Sequence, residues 1–265
     1  MFGDTFTLYR EGQAWLEGRY EGLYPLPFVM LWSLLARLRI EVVVAGVLAA
    51  SVILCVVLFK REALLWILYL PILETLVLGQ LSMIWLVLLR SGAGWGFALL
   101  TLKPQLFLLA IPAIAARREV WRSFGVAVAL LYIPSLVVRP MWLIEWLQHI
   151  FRDTRFNDGM SASLWAVPLL AFSCAAALLL TRRYSWLVIF TTYNPAFRPY
   201  DYALLAGNSR WMILMSWIIF GIMALLGMRA AWPMALLGIA AAMLENEPSK
   251  QSHLTRSRVR GNLAA

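Results

Sequence analysis

Apolar runs long enough to cross a lipid bilayer constrain this chain more than any other feature. Residues 41–59 carry no charge after Glu41, and the run ends at Lys60 and Arg61. A transmembrane helix needs roughly 20 consecutive apolar residues, which this run supplies. Because further apolar blocks follow, separated by short charged segments, the sequence predicts an all-α integral membrane protein.

The composition agrees with this class. The chain is 62% hydrophobic with a mean hydropathy of +0.75, whereas a soluble domain is about 45–50% apolar. The formal net charge of +9 comes from 23 basic and 14 acidic residues, and basic pairs close several apolar blocks. This pattern is typical of cytoplasmic loops rather than of a nucleic-acid-binding surface. We therefore expect membrane lipids, and no nucleic acid, as partners.

We expect a polytopic transmembrane helical bundle with about eight membrane-embedded segments, several of them short or broken. Residues 1–23 are predicted to form an extracytoplasmic or interfacial segment, 24–244 the transmembrane helical domain, and 245–265 a polar, disordered tail. Residues 24–38 are short for a full crossing, so the orientation of residues 1–38 stays open. The remaining apolar blocks are residues 41–59, 63–89, 93–116, 124–138, 162–181, 185–206, 208–227 and 231–244.

Basic pairs also predict the sidedness of the chain. Lys60-Arg61, Arg117-Arg118 and Arg182-Arg183 are each separated by two apolar blocks. All three pairs can therefore be cytoplasmic, as the positive-inside rule favours. The polar insertion at residues 139–160 then lies outside the cytoplasm. His149, within that insertion, is interpreted as a solvated or interfacial residue rather than a catalyst.

Four polar groups interrupt otherwise apolar sequence. A charge inside the membrane costs about 2.5–3.5 kcal/mol on insertion scales, so its first interpretation is functional. The alternative is that pairs such as Glu74 with Lys103, or Arg198 with Asp201, only pack helices together. The four groups are Asp4 with Tyr9 and Arg10, Glu74 with Gln80, Lys103 with Gln105, and Arg198 with Tyr200 and Asp201.

Metal and cofactor motifs are missing from the sequence. Cys55 and Cys174 lie in separate apolar blocks, with no His or acidic residue at ligand spacing. No Gly-rich phosphate loop and no Ser-His-Asp order appears either. The sequence therefore predicts no metal site and no cofactor.

Four stretches in order resemble one enzyme family. Together they cover roughly residues 4–206, and they resemble the polyprenyl-phosphate-mannose-dependent mannosyltransferases, multispanning enzymes of the GT-C superfamily. The first is similar to the opening of that family's first extracytoplasmic loop. The stretches are Asp4 to Arg10 with Gln13 to Gly18 and Leu23-Tyr24-Pro25; Pro71 to Gln80; Gly96 to Gln105; and Asn194-Pro195 with Tyr200-Asp201-Tyr202.

The resemblance implies a function and a set of site residues. It implies transfer of a sugar, mannose, from a polyprenyl phosphate to an acceptor at the outer face of a bacterial inner membrane. Asp4 would be the general base on the acceptor hydroxyl, and Lys103, with Arg10 or Arg198, would neutralise the leaving phosphate. We expect Asp4, Lys103 and Asp201 to converge at one membrane face. The expected substrate-binding residues are Tyr9, Arg10, Glu74, Gln80, Lys103, Gln105, Arg198, Tyr200 and Asp201.

Two other functions remain open at this point. Family members have a transmembrane helix before the catalytic loop, whereas three residues precede Asp4 here. We therefore expect an N-terminally truncated or degenerate member, and the alternative function is a non-catalytic membrane subunit of a larger complex that reuses the GT-C-like scaffold. A transporter or flippase of lipid-linked sugar is a third hypothesis, although the two halves show no internal repeat.

Overall fold

The computed structural model describes residues 3–152, 162–181, 186–194, 198–227 and 231–244. Within these residues every regular element is a helix, which confirms the all-α class. Short 3₁₀ helices at Lys60–Glu62, Leu164–Ala166, Pro199–Leu205 and Trp232–Ala235 join some of the α-helices. The α-helices are α1 Gly3–Leu16, α2 Leu26–Leu35, α3 Ile40–Phe59, α4 Ala63–Ile67, α5 Leu70–Val77, α6 Ser82–Ser91, α7 Gly94–Leu100, α8 Pro104–Phe107, α9 Ile111–Ala116, α10 Arg118–Val138, α11 Trp142–Arg152, α12 Pro168–Thr181, α13 Trp186–Tyr193, α14 Trp211–Leu226 and α15 Leu236–Leu244.

Among the described residues, two helical stretches are long and apolar enough to cross a bilayer. Ile40–Ile67, which contains α3, has 28 residues, and Arg118–Val138, which is α10, has 21; the most apolar 18-residue windows of the two have mean hydropathies of 3.0 and 1.6. Only 22% and 11% of their most apolar windows are buried inside the protein. The core helix of a soluble protein would be mostly buried, so this exposure supports membrane association.

The two longest predicted blocks are broken into short helices. Block 63–89 forms α4, α5 and α6, and block 93–116 forms α7, α8 and α9. Prolines begin three of these helices, because proline lacks the N–H that a helix interior uses and fits the first turn. They are Pro71, Pro104 and Pro112. The polar interruptions predicted from sequence are therefore real helix ends.

Two segments differ from the sequence prediction. The helix predicted at 124–138 begins at Arg118, because charged residues tolerate helical geometry where they are exposed. The polar insertion predicted as a loop contains the amphipathic helix α11. Its Trp142 is 1% exposed and packs with Leu26 and Val29 of α2. Residues 153–160 of this insertion lie outside the described residues.

The first helix, α1, packs against the rest of the protein along one side. Leu8 is buried, and the Tyr9 hydroxyl donates a 2.8 Å hydrogen bond to the Leu38 carbonyl oxygen. A Cβ added at Gly12 would lie 3.0 Å from backbone atoms of Trp32 and Ser33, so α1 and α2 touch through their backbones. Tyr9, one of the expected substrate-binding residues, is thus a buried residue that joins α1 to the start of α3.

The described helices have a basic end and an opposite end. The Arg90 guanidinium lies 5.6 Å from the Phe59 ring centroid, and a Cβ at Gly92 would lie 2.8 Å from Arg117 Nη1. The end of α3, the end of α6 and the start of α10 therefore lie together. We call this the basic end, and its residues are Lys60, Arg61, Arg90, Arg117 and Arg118. The start of α3 and the end of α10 lie away from it.

Candidate functional site

Breaks between helices bring five polar side chains together in what we call the polar cluster. Asp4 lies in the first turn of α1, Gln80 between α5 and α6, and Lys103 directly before α8. Tyr200 and Asp201 lie in the 3₁₀ helix Pro199–Leu205. Each of these elements starts or ends at a Pro or Gly, residues that interrupt a regular α-helix. The cluster therefore consists of Asp4, Gln80, Lys103, Tyr200 and Asp201.

Lys103 is the centre of this cluster. Its Nζ lies 2.9 Å from Asp201 Oδ1 and 3.4 Å from Asp4 Oδ2. The Lys103 and Asp201 side chains are 5% and 0% exposed, and that of Asp4 is 13% exposed. Asp4, Lys103 and Asp201 therefore converge, as predicted, whereas their position at a membrane face stays a prediction. One ammonium group faces two carboxylates, and Asp4 is the carboxylate that solvent can reach.

Three hydrogen bonds hold Asp4 and its neighbour Thr5 against the rest of the protein. The Tyr24 hydroxyl donates to Asp4 Oδ1 at 2.8 Å, and the Asp4 N–H donates to Gln80 Oε1 at 3.3 Å. The neighbouring Thr5 hydroxyl donates to the Gly79 carbonyl oxygen. The start of α1 is thus held by the Gly79-Gln80 turn and by Tyr24.

Two hydrogen bonds hold Asp201 and the neighbouring Tyr202 in place. Its Oδ2 accepts a 3.0 Å hydrogen bond from the Arg198 N–H. The next residue, Tyr202, is fully buried, and its carbonyl oxygen accepts a 3.0 Å hydrogen bond from the Tyr69 hydroxyl. Lys103 Nζ also lies 5.0 Å from the Tyr200 ring centroid, a cation–π distance.

The other predicted site residues take different positions. Glu74 is half-buried and close enough to Asp201 for their negative charges to repel each other. Gln105 contributes its carbonyl oxygen, which accepts a 3.4 Å hydrogen bond from Asn194 Nδ2. Arg198 reaches the cluster through its backbone N–H. Tyr9 holds α1 to the start of α3, and Arg10 is exposed. Pro195 lies outside the described residues.

Tyr24 is the site residue that the sequence prediction omitted. It belongs to the Leu23-Tyr24-Pro25 stretch, which carries part of the family resemblance, yet its role was not predicted. Pro25 starts the turn into α2 and brings Tyr24 back along α1. The available signal was the position of this tyrosine, directly before Pro25 and the start of α2, the helix that packs on α1.

The chemistry of the cluster follows from its charges. Among the described residues, no group of three His, Cys, Asp or Glu side chains is placed to hold a metal ion. The cation of the cluster is the Lys103 ammonium group, which can bind an anionic oxygen. Asp4, partly open to solvent beside it, can accept a proton. The arrangement thus offers an acceptor for a proton and a partner for an anion within one site.

Comparison of the chain with protein-family models, with curated proteins and with solved structures gave no match.

Proposed function

We propose that this protein is a polytopic membrane glycosyltransferase of the GT-C type. It would transfer a sugar, mannose, from a polyprenyl-phosphate donor to an acceptor at the outer face of a bacterial inner membrane. The observation that carries the proposal is Lys103, placed between Asp4 and Asp201. The exposed apolar sides of α3 and α10 support a bilayer location, where a lipid-linked donor is found.

In the proposed reaction, Asp4 takes the proton from the acceptor hydroxyl as that oxygen attacks the anomeric carbon. The bond between the anomeric carbon and the phosphate oxygen breaks, and the phosphate leaves with the electron pair. Lys103 stabilises the negative charge that develops on the phosphate. The attraction between a fixed cation and this charge is strong because the dielectric constant of the site is low. Tyr24 and Gln80 orient Asp4, and Asp201 orients Lys103.

The sidedness of the molecule also supports this proposal. Asp4 lies on α1, whose Tyr9 contacts Leu38 at the start of α3, and Lys60 lies at the other end of α3. If the basic end is cytoplasmic, the start of α3 is outside and α1 lies on the same side. This position agrees with an acceptor at the outer face.

The test is the variant Asp4→Asn in lipid nanodiscs with polyprenyl-phosphate mannose as donor. Asn keeps the size and a hydrogen-bonding oxygen but does not accept the proton, so the transfer rate should fall by about 10²- to 10⁴-fold. Thermal stability should stay close to that of the unmodified protein, because Lys103 keeps Asp201 as a partner. Glu41→Gln, in an exposed ion pair, is the control that should retain activity.

A non-catalytic membrane subunit is the second candidate function, and one observation favours it. Lys103 is already paired with two carboxylates inside the protein, as in a buried ion pair that only fixes helix packing. In that case the purified protein transfers no sugar from any lipid phosphate and co-purifies in a fixed ratio with other membrane proteins. Full transfer by Asp4→Asn would equally argue against the proposed base.

A further inference from the structure

A cavity lined by polar side chains lies at the turn after α1. It has a volume of about 250 Å³ and lies between this turn and the first turns of α11. Apart from Tyr20, Glu21 and Gly22, its lining comes from residues 139–149, which none of the four family-like stretches includes. The side chains that line it are Tyr20, Glu21, Arg139, Glu145, Gln148 and His149.

The walls of this cavity are held by specific contacts. Arg139 Nε lies 2.7 Å from Glu145 Oε2, and the Arg139 guanidinium lies 5.4 Å from the Tyr20 ring centroid. Gly22, with φ at 79°, shapes the turn so that a Cβ there would lie 3.5 Å from His149 Cβ. Burial raises the pKa of the Tyr20 phenol, so it remains a neutral hydrogen-bonding group.

Tyr24 connects the cavity to Asp4. The Tyr20 hydroxyl donates a 2.7 Å hydrogen bond to the Tyr24 carbonyl oxygen, and the Tyr24 hydroxyl donates to Asp4 Oδ1. A single tyrosine residue therefore separates the cavity wall from the carboxylate. Tyr24 therefore lies between a molecule bound in the cavity and Asp4.

The lining selects a class of ligand. Glu21 Oε1 lies 3.9 Å from Arg19 Nη1, and Glu145 Oε2 lies 2.7 Å from Arg139 Nε. The charges at the cavity are therefore balanced, which suits a neutral ligand. Carboxylates, an amide and an imidazole are donors and acceptors suited to several hydroxyl groups at once. The volume is below the roughly 300–1,000 Å³ of pockets for drug-sized ligands, which suits a single sugar ring.

We propose that this cavity binds a neutral sugar ring of the acceptor. The ring's role as acceptor rests on the function proposed above, whereas binding of the sugar itself does not. Gln148 and His149 contribute hydrogen bonds to the ring, and the Arg139–Glu145 pair forms one wall. The cavity thereby anchors the acceptor through a ring that Tyr24 separates from the general base.

Binding is tested with methyl α-D-mannopyranoside and the full chain in nanodiscs of neutral lipid, by saturation-transfer NMR. Gln148 is exposed, so Gln148→Ala should fold normally, and His149→Ala is combined with it. The dissociation constant should rise about 2- to 10-fold for each hydrogen bond lost. Glu41→Ala, away from the cavity, should bind the mannoside as the unmodified protein does. Phosphocholine and inorganic phosphate, used as competing probes, should not displace it.

Each contrary result has a distinct meaning. Equal mannoside binding by the double variant and the unmodified protein, or displacement by phosphocholine or phosphate, would overturn this inference. Sugar transfer with an unchanged acceptor KM in the double variant would also overturn it and leave the proposed transferase intact. Conversely, a chain that transfers nothing but binds mannoside through Gln148 and His149 would overturn the transferase and confirm the sugar-binding cavity.

Discussion

At Lys103, one ammonium group lies in a nearly dry environment between two carboxylates. The Lys103 side chain is 5% exposed, and its Nζ is 2.9 Å from Asp201 and 3.4 Å from Asp4. Removing charges from water is costly, and the buried Lys103–Asp201 pair offsets that cost only while both partners are present. The stability of the cluster therefore depends on one residue more than on any of its neighbours.

Lys103→Met should destabilise the fold strongly. Methionine is of similar length but leaves Asp201 buried without its cation, and breaking a buried pair costs about 3–5 kcal/mol. The measurement is the free energy of unfolding in mixed detergent micelles. Adding Asp201→Asn to Lys103→Met should recover part of the loss, since it removes the uncompensated charge.

The exposed pair of Arg39 and Glu41 supplies the matched control. Their side chains are 84% and 68% exposed at an N–O distance of 3.4 Å, and exposed pairs contribute about 0–1 kcal/mol. Glu41→Gln should therefore change the unfolding free energy far less than Lys103→Met. Equal losses from the two variants would contradict the central role of Lys103.

Between elements, the closest approach that the site depends on is that of α7 to α10. A Cβ at Gly94 would lie 2.5 Å from the Val120 carbonyl oxygen and 2.6 Å from the Phe124 nitrogen. Both are backbone atoms, which cannot rotate away. This contact fixes α10, whose Tyr132 hydroxyl lies 2.9 Å from Thr101 Oγ1, two residues before Lys103.

Gly94→Ala should push α7 and α10 apart, and overpacking of this kind costs about 1–3 kcal/mol. The thermal midpoint in detergent should fall, and sugar transfer should fall with it because Thr101 and Lys103 move together. Gly125→Ala, on the partner helix α10, is the matched control, since a Cβ there meets no atom within 4 Å. This control should be neutral, or stabilising by up to about 1 kcal/mol through helix propensity. Two variants of equal stability would show that the helices tolerate separation.

At the scale of the whole molecule, five basic residues lie together where α3 and α6 end and α10 begins. Lys60, Arg61, Arg90, Arg117 and Arg118 lie at the basic end, as shown by the contacts of Arg90 with Phe59 and of Gly92 with Arg117. The 20 residues of α3 rise about 30 Å at 1.5 Å per residue, the thickness of the hydrocarbon core. The 10 residues of α2 rise only about 15 Å, too little to cross alone.

These dimensions predict opposite labelling of the two ends of α3. In a cysteine-free background, Glu41→Cys should react with a membrane-impermeant maleimide added outside intact cells. Lys60→Cys should react only after permeabilisation, because basic residues favour the cytoplasm. Both positions are exposed in the structure, so a difference in labelling reports the side of the membrane. Labelling of both from outside would mean that α3 does not cross.

Local features were predictable from the sequence because they depend on neighbouring residues. The apolar run predicted at 41–59 is the helix Ile40–Phe59, since length and flanking charges determine such a helix. Pro71 and Pro104 begin new helices because a missing N–H acts within one turn. The membrane crossing of the shorter helices stays a prediction, since α5 to α9 each have no more than 10 residues.

The family resemblance predicted that Asp4, Lys103 and Asp201 meet, but only the tertiary structure decided their distances and their other partners. Asp4 and Lys103 are 99 residues apart in the chain, and Lys103 and Asp201 are 98 apart, so no local pattern gives their distances. The same holds for the hydrogen bond from Tyr24 to Asp4 and for the contact of the Arg139 guanidinium with the Tyr20 ring. These contacts depend on the angles at which short helices pack, and those angles follow from close approaches such as Gly94 on α10. Hydropathy determines that a segment is buried in lipid or protein, whereas side-chain packing determines which neighbour it meets.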